Sequence, residues 1–336
     1  MSGGYENHLN KVAIVQAAMA EQGYKNQAKS LSQTTRALVA DPQTIGIIKN
    51  KQGPKGRTAL MYAAKTGDLA KVRFLIQKGA DPTKEDADLH SVLYYAAVGG
   101  NPEILRLLLE HGADLNYTNK WGNTALHYAT AYGNVGAVRI LCEAGANINV
   151  TNGNGNTALM QALEPSMVRV RSKPSNETKA EIVRVLLQAG ADIHMKNTQG
   201  LTALHVAASS GNVQAVEALV EAGSDVNALD NDGSTPLLSL VLNIQYIDTP
   251  TENVEEIVDI LLSRGANPSI PDERGRTLEM FINDIIEDEE VKERILARIA
   301  EARAGSSTQG GGSRKAKARK TRGKAKAKRK TRKARS

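Results

Sequence analysis

The sequence predicts an all-α solenoid of stacked helix-turn-helix repeats, and two recurring patterns carry that prediction. A seven-residue phrase returns along the chain at intervals of 33, 33, 33, 45, 33 and 42 residues. Its copies begin at Thr58, Ser91, Thr124, Thr157, Thr202, Thr235 and, in a degenerate form, Thr277. A glycine-led triplet keeps the same spacing, at residues 79–81, 112–114, 145–147, 190–192, 223–225 and 265–267. Each period therefore encodes one structural unit.

One period accounts for two short helices and a turn. In the third unit, residues 119–122 have the composition of a turn, and Thr124 is suited to cap a first helix that ends near Tyr132. Residues 133–134 interrupt the helical pattern, and a second helix then runs to Gly145, which ends it as a left-handed cap. A hairpin of this size buries its apolar face only when it stacks on its neighbours.

The period, the T-x-L-H-x-A type of phrase and the helix-ending glycine together resemble the ankyrin repeat over roughly residues 45–300. The resemblance implies six clear repeats with β-turn fingers and a degenerate C-terminal cap. It also implies a protein-binding scaffold whose partners dock on the concave face, formed by the turn tips and the first helices. In such repeats the histidine of the phrase, here His127 and His205, ties adjacent turns together by hydrogen bonds.

Changes in pattern and composition divide the chain into four parts. We expect an N-terminal helical cap or extension, a repeat domain, a Gly/Ser linker and a disordered Lys/Arg-rich tail, at residues 1–44, 45–303, 304–313 and 314–336. Two insertions, near residues 164–179 and 243–253, lie between the first and second helices of their repeats. They are either functional loops or harmless variation in loop length.

The formal net charge of +7 averages two segments of opposite sign. The tail holds 14 of the 43 Lys and Arg residues and none of the 36 acidic ones. The remaining 29 basic residues leave the preceding part of the chain with a net charge of −7. The folded solenoid is therefore mildly acidic, and the tail is strongly cationic.

The sequence contains no convincing catalytic or metal-binding pattern. The histidines fall at repeat positions without metal-ligand spacing, and Cys142 aligns with apolar core positions, so we expect no enzyme, no cofactor and no metal. Residues 153–156 align with the turns of the other repeats and lack the lysine of a phosphate-binding loop. Without an apolar run of membrane length, a secretion signal or paired cysteines, we expect an intracellular protein, cytoplasmic or nuclear, that is a monomer.

The candidate partner-binding residues come from the positions that vary on the concave face of the family. Carried onto this chain, they include Lys55, Arg57, Lys120, Trp121, Asn123, Tyr132, Gln199, Leu201 and Asp232. Trp121 stands at a turn tip, where it is either an interaction anchor or a packing residue that stiffens the stack. Tyr132 on the neighbouring first helix favours the anchor.

The cationic tail is suited to bind polyanions without sequence specificity. Its Lys-Ala alternation resembles the tails of linker histones, and its clusters resemble nuclear import signals. The residues concerned are Arg314, Lys315, Arg319, Lys320, Arg322, Lys328, Arg329, Lys330, Arg332 and Lys333. Three interpretations stay open: attachment to nucleic acid, an import signal, and an intramolecular contact with the acidic residues 287–290. The sequence thus predicts a non-enzymatic scaffold with an accessory tail or, alternatively, a nucleic-acid-associated protein in which the tail is the main functional part.

Overall fold

The computed structural model describes residue 52 and residues 54–164, 173–244 and 251–304. The predicted N-terminal cap, residues 165–172 and 245–250 of the two insertions, the linker beyond residue 304 and the basic tail lie outside these residues. Within them the chain forms helices and turns and no β-strand, which confirms the prediction of an all-α solenoid. A short 3-10 turn, Pro54–Gly56, precedes the first α-helix.

Seven helical hairpins follow one another along the described residues. The first helices are α1 (Ala59–Thr66), α3 (Val92–Gly99), α5 (Ala125–Ala131), α7 (Ala158–Leu163), α9 (Ala203–Ser209), α11 (Pro236–Asn243) and α13 (Leu278–Ile285). The second helices are α2 (Leu69–Gln77), α4 (Pro102–Glu110), α6 (Val135–Glu143), α8 (Asn176–Gln188), α10 (Val213–Glu221), α12 (Thr251–Ser263) and α14 (residues 289–304).

The recurring phrase marks the start of each first helix. Its leading Thr or Ser is the N-cap, and the side chain of Thr58, for example, accepts a hydrogen bond from the backbone N–H of Met61 at 3.3 Å. The third residue of the phrase is a leucine that is almost completely buried in six successive units. These are Leu60, Leu93, Leu126, Leu159, Leu204 and Leu237. The phrase therefore supplies both the helix start and the core contact of each unit.

The hairpins stack into two parallel rows. Consecutive first helices, from α1 to α13, contact one another, and consecutive second helices from α2 to α12 do the same. One continuous apolar core runs between the rows along the described part of the chain. No hairpin has a core of its own, as expected of a repeat stack.

The insertions enter between a first and a second helix, and part of each one becomes helix. Helices α8 and α12, which follow the insertions, have 13 residues each, whereas α2, α4, α6 and α10 have nine. Lys179 on α8 donates hydrogen bonds of 3.3 Å from Nζ to the carbonyls of Leu163 and Glu164 at the end of α7. The insertion is thus tied to the helix that precedes it.

The C-terminal hairpin closes the stack with both apolar and ionic contacts. Helix α14 buries Val291, Ile295 and Ile299. Next to this apolar face, Arg294 and Arg298 each reach Glu255 of α12, at 2.8 and 2.9 Å. The helix therefore continues the row of second helices.

The acidic surface next to this hairpin is partly neutralised within the repeat domain. Glu289 forms an ion pair with Lys292 at 2.7 Å, and Glu290 forms one with Arg294 at 2.6 Å. Asp288 accepts hydrogen bonds from the backbone N–H groups of Glu290 and Val291 at the start of α14. These carboxylates already have partners without the tail.

Candidate functional site

Before the first hairpin and between consecutive hairpins the chain forms turns that project from the stack, which we call fingers. The seven fingers span residues 54–57, 86–90, 119–123, 152–156, 197–201, 230–234 and 272–276. In the fourth finger, Oδ1 of Asn152 accepts backbone hydrogen bonds from Asn154 at 3.0 Å and Asn156 at 3.1 Å. The same pair of bonds recurs at Asp86, Asn119, Asn197, Asp230 and Asp272. One Asp or Asn side chain therefore fixes the shape of each of these fingers.

Neighbouring fingers are joined by single backbone hydrogen bonds of 2.8 to 3.4 Å. In each pair the backbone N–H of the first residue donates to the carbonyl of the second: Ala87 to Lys55, Lys120 to Asp88, Gly153 to Trp121, Thr198 to Asn154, Asn231 to Gln199 and Glu273 to Asp232. The fingertips consequently form one continuous row along the edge of the stack. Four of the predicted partner-binding residues, Lys55, Trp121, Gln199 and Asp232, supply four of the six acceptor carbonyls that join the fingers.

The histidines of the phrase are structural. Nδ1 of His127 accepts a hydrogen bond from the backbone N–H of Thr124 at 3.2 Å, and Nε2 donates to the carbonyl of Asn156 in the next finger at 3.1 Å. His205 makes the equivalent bonds to Thr202 and to the carbonyl of Ser234. Burial lowers the pKa of both rings, which keeps them neutral with the proton on Nε2.

Trp121 is partly packed and partly exposed. Its ring centroid lies 5.6 Å from that of His90 in the preceding finger, and Nζ of Lys120 lies 4.4 Å from its ring centroid. Lys120 also forms an ion pair with Asp88 of the preceding finger. Even so, 48% of the Trp121 surface stays exposed. The side chain is held in place on one side and presents the rest of its surface outward.

Behind Trp121 lies an aromatic cluster that links the second and third repeats. His90 stacks on Tyr94 with 3.9 Å between ring centroids, and Tyr94 packs edge-on against Tyr128 at 4.4 Å. Tyr132, at the end of α5, is half-buried, and this burial raises its pKa. We call His90, Tyr94, Tyr95, Trp121 and Tyr128 the aromatic cluster. The other four rings give the exposed part of Trp121 a rigid base through its contact with His90.

A buried carboxylate organises the same region. Oδ2 of Asp86 accepts a hydrogen bond from the hydroxyl of Tyr95 at 2.5 Å, lies 3.1 Å from Nδ1 of His90 and 3.8 Å from Nε of Arg57. Burial opposes ionisation, but the hydrogen bonds from Tyr95 and His90 outweigh it and lower the pKa of Asp86. Arg57 also lies over the Tyr95 ring, 5.6 Å from its centroid. Asp86 therefore connects the first finger to the aromatic cluster.

The predicted site residues divide into two groups along the row. Arg57, Lys120, Trp121 and Asn123 lie in the first and third fingers around the aromatic cluster, with Lys55 also in the first finger. Tyr132, the C-cap of α5, lies near Tyr94 and Tyr128. Gln199 and Leu201 lie two fingers beyond Trp121, and Asp232 lies one finger further. Asn123 contacts the fourth finger, because its Oδ1 accepts a hydrogen bond from Nδ2 of Asn152 at 3.0 Å. The first group therefore lies on the first and third repeats, and the second group lies on the fifth and sixth fingers.

One exposed residue of the fingers, Leu89, was not predicted from the sequence. Leu89 has a φ of 58°, in the left-handed region, and 40% of its surface is exposed. The aligned residue of every other described finger is a glycine with φ between 73° and 78°: Gly56, Gly122, Gly155, Gly200, Gly233 and Gly275. Aligning the fingers by their intervals would have singled out this leucine.

Other chemistry has little support in the described part of the chain. No group of three or more His, Cys, Asp or Glu residues there is placed to hold a metal ion. Cys142 is half-buried, and burial raises the pKa of its thiol to about 11, so the reactive thiolate is scarce near neutral pH. None of the helices of residues 54–164, 173–244 and 251–304 combines the length and apolarity of a membrane span.

Comparison with known structures agrees with this architecture. The ankyrin repeat domain of human ASB11 is 24% identical with a TM-score of 0.58, over 72% of this chain and 98% of that one. The ankyrin repeat domain of Bcl-3, described as a unique member of the IkappaB protein family, is 24% identical with a TM-score of 0.56, over 73% and 99% of the two chains. At this identity the likeness shows the fold alone. Comparison with curated proteins gives no match.

The family comparison is more specific. The model of the family described as "Ankyrin repeats (3 copies)" matches residues 14–119, 93–170 and 173–272. These ranges include the first six fingers, the first six copies of the phrase and the paired helices from α1 to α12. The chain belongs to the ankyrin repeat family.

Proposed function

We propose that this protein is a non-enzymatic scaffold that binds a partner protein on its concave face, centred near Trp121 and Tyr132. Ankyrin repeat domains generally mediate protein–protein interaction and are typically non-enzymatic modules. The remaining residues proposed for this surface are Lys55, Arg57, Lys120, Asn123, Gln199, Leu201 and Asp232. The protein acts as a monomer in the cytoplasm, the nucleus or both.

The observation that supports this site best is the half-exposed Trp121 on a rigid base. Large aromatic side chains dominate the binding energy of many interfaces. A side chain that is already held by His90, Lys120 and the row of backbone hydrogen bonds loses little conformational freedom when a partner covers it. The location in the third of seven fingers leaves stacked repeats on both sides of the contact.

The test of this site compares two variants for binding and for stability. Partners are first identified by proximity labelling with the full-length protein in its native cell. Trp121→Ala combined with Tyr132→Ala should then weaken binding of the purified partner at least a hundredfold, while the melting temperature changes by only a few degrees. Leu229→Ala removes a comparably exposed apolar side chain, 41% exposed beside the sixth finger, and should leave binding unchanged. Equal binding by the double variant and the wild type would exclude this site.

We further propose that the basic tail adds attachment to nucleic acid or directs nuclear entry. The density of 14 positive charges within residues 314–336 favours this role. The ion pairs of Glu289 and Glu290 with Lys292 and Arg294 reduce the charge available for an internal clasp at that place, because those carboxylates are already partly neutralised.

The alternative, in which the tail is the main functional part and the repeats recruit it, is supported by the same charge density. Deletion of residues 314–336 separates the two functions. We expect the deletion to abolish salt-sensitive binding to DNA and RNA and to leave binding of the partner protein intact. Absence of such binding in the full-length protein would limit the tail to targeting. Loss of partner binding on deletion would favour the alternative.

A further inference from the structure

Leu89 occupies a position where the fold favours glycine. At φ 58° the Cβ of an L-amino acid crowds the backbone, which is why the aligned residue of the other described fingers is glycine. A leucine at this point costs stability, and 40% of its surface remains exposed. Backbone strain that persists without a packing benefit is a feature of functional positions.

The leucine lies beside Trp121. Its two neighbours in the chain both contact the third finger, because Asp88 binds Lys120 and His90 packs against the Trp121 ring. Leu89 and Trp121 are two of the four large apolar side chains that are exposed in the described residues, the others being Leu229 and Met280. The two adjacent fingers therefore present a pair of apolar side chains on one rigid support.

The first repeat, whose finger is hydrogen-bonded to the finger of Leu89, carries positive charge with little compensation. Lys65, at the end of α1, is exposed and forms no ion pair among the described residues. Partial burial and the charge of nearby Arg57 lower the pKa of Lys65, with no carboxylate offsetting them. Nε of Arg57 makes no hydrogen bond within the described part of the chain, and the carboxylate nearest to it, Asp86, is shared with His90 and Tyr95.

We propose that Leu89 and Trp121 together form an apolar anchor point, and that the partner bound there is an acidic peptide segment of a protein. In that segment a large apolar side chain contacts Leu89 and Trp121, and flanking Asp or Glu residues face Arg57 and Lys65. This inference rests on the proposed function, since it specifies the chemistry of the partner at the same surface. The apolar pair supplies contact area, and the two cations supply charge complementarity.

The test uses the full-length protein and a displayed library of random peptides. Selected peptides should carry Asp or Glu around a Leu, Phe or Trp residue, in excess over peptides selected on an unrelated repeat protein. A synthetic peptide from this set is then measured against purified variants. Leu89→Gly should raise its dissociation constant about tenfold and raise the melting temperature, because glycine relieves the strain. If Leu89 had no part in binding, Leu89→Gly would raise the melting temperature and leave the dissociation constant unchanged.

Charge is tested separately from the apolar contact. Arg57→Gln and Lys65→Gln should each weaken binding of the acidic peptide about tenfold and reduce its dependence on salt. Lys65→Gln leaves the Asp86 contacts untouched, so the result does not depend on folding of the Arg57 variant. Leu229→Ala serves as the exposed-leucine control and should have no effect.

The outcomes separate this inference from the proposed function. Peptides without acidic residues, or peptides that bind the Leu89→Gly and Lys65→Gln variants as tightly as the wild type, would overturn the inference. If such peptides still lose binding to the Trp121→Ala and Tyr132→Ala double variant, the proposed site stands. If the selected peptides bind the double variant as well as they bind the wild type, or if none are enriched, both proposals are wrong at this surface.

Discussion

His127 and His205 each bridge two repeats through a neutral ring. Nε2 donates to a carbonyl of the next finger and Nδ1 accepts from the N-cap threonine, so a proton added to Nδ1 would break the second contact. Burial lowers the pKa of both rings in the folded protein, whereas a histidine in an unfolded chain titrates near pH 6.5. The unfolded state therefore binds more protons than the folded state below about pH 6.5.

This difference predicts that stability falls as the pH drops from 6.5. Each histidine should lower the free energy of unfolding by up to about 1.4 kcal/mol per pH unit. Urea unfolding at pH 7.5, 6.5 and 5.5 should show this slope in the wild type and a clearly smaller one in the His127→Gln and His205→Gln double variant. Carboxylates with lowered pKa values, such as Asp86, change the free energy of unfolding only at lower pH. An identical slope in both proteins would contradict the assignment.

At the same residue scale, the sequence predicted these two histidines but not the cluster around Asp86. The histidines recur at a fixed place in the phrase, so a period is enough to find them. The Asp86 contacts join Arg57, His90 and Tyr95, and they depend on how two consecutive repeats pack together. Trp121 could be placed at a turn tip, but its contact with His90 is a tertiary one that no interval encodes.

The finger is the element that makes the stack rigid. A glycine can be needed for two separable reasons, a left-handed backbone and the close approach of a neighbouring finger, and two positions distinguish them. Gly155 has a φ of 73°, and a Cβ there would lie 2.8 Å from the backbone nitrogen of Thr198 in the next finger. Gly67, at the end of α1, has a φ of 72°, and a Cβ there would meet nothing within 4 Å. The two positions share the backbone conformation and differ in the contact with a neighbouring finger.

Substitution of these two glycines should therefore give unequal losses. Gly67→Ala should cost about 1–2 kcal/mol through the left-handed backbone alone. Gly155→Ala should cost roughly 1–3 kcal/mol more, because the fourth and fifth fingers must separate and weaken the hydrogen bond from Thr198 to Asn154. Equilibrium urea unfolding of both variants measures the difference. Equal losses would show that contact between fingers adds nothing to the requirement for glycine.

The helices were more predictable than the fingers because capping and burial act within a single period. Each first helix begins directly after the Thr or Ser of the phrase, as the sequence indicated. The extra helical turn of α8 and α12 was not predicted, since inserted residues carry no repeat to align with. Leu89 was not predicted either. It lies outside the helical phrase, and only an alignment of the fingers shows that it replaces a glycine.

On the scale of the whole molecule, stability is a sum of contacts between neighbouring hairpins rather than the property of one central core. In such a stack a lesion at one end weakens mainly the adjacent repeats. Helix α14 is suited to test this, because it ends the described part of the stack and its contacts with α12 are well defined. Its buried side chains are Val291, Ile295 and Ile299, and its arginines pair with Glu255.

Truncation after residue 288 should therefore loosen the C-terminal repeats and spare the N-terminal ones. Removal of three buried aliphatic side chains forfeits roughly 5 kcal/mol of apolar burial, and it leaves Glu255, which is 9% exposed, without its two arginines. Hydrogen exchange should become faster in α11 and α12 and stay unchanged in α1 to α5. Truncation after residue 304, which removes the linker and tail but keeps α14, is the matched control and should leave exchange unchanged throughout. A uniform increase of exchange across all repeats after the first truncation would instead indicate a single cooperative unit, because only then would the loss of one end destabilise hairpins that it does not touch.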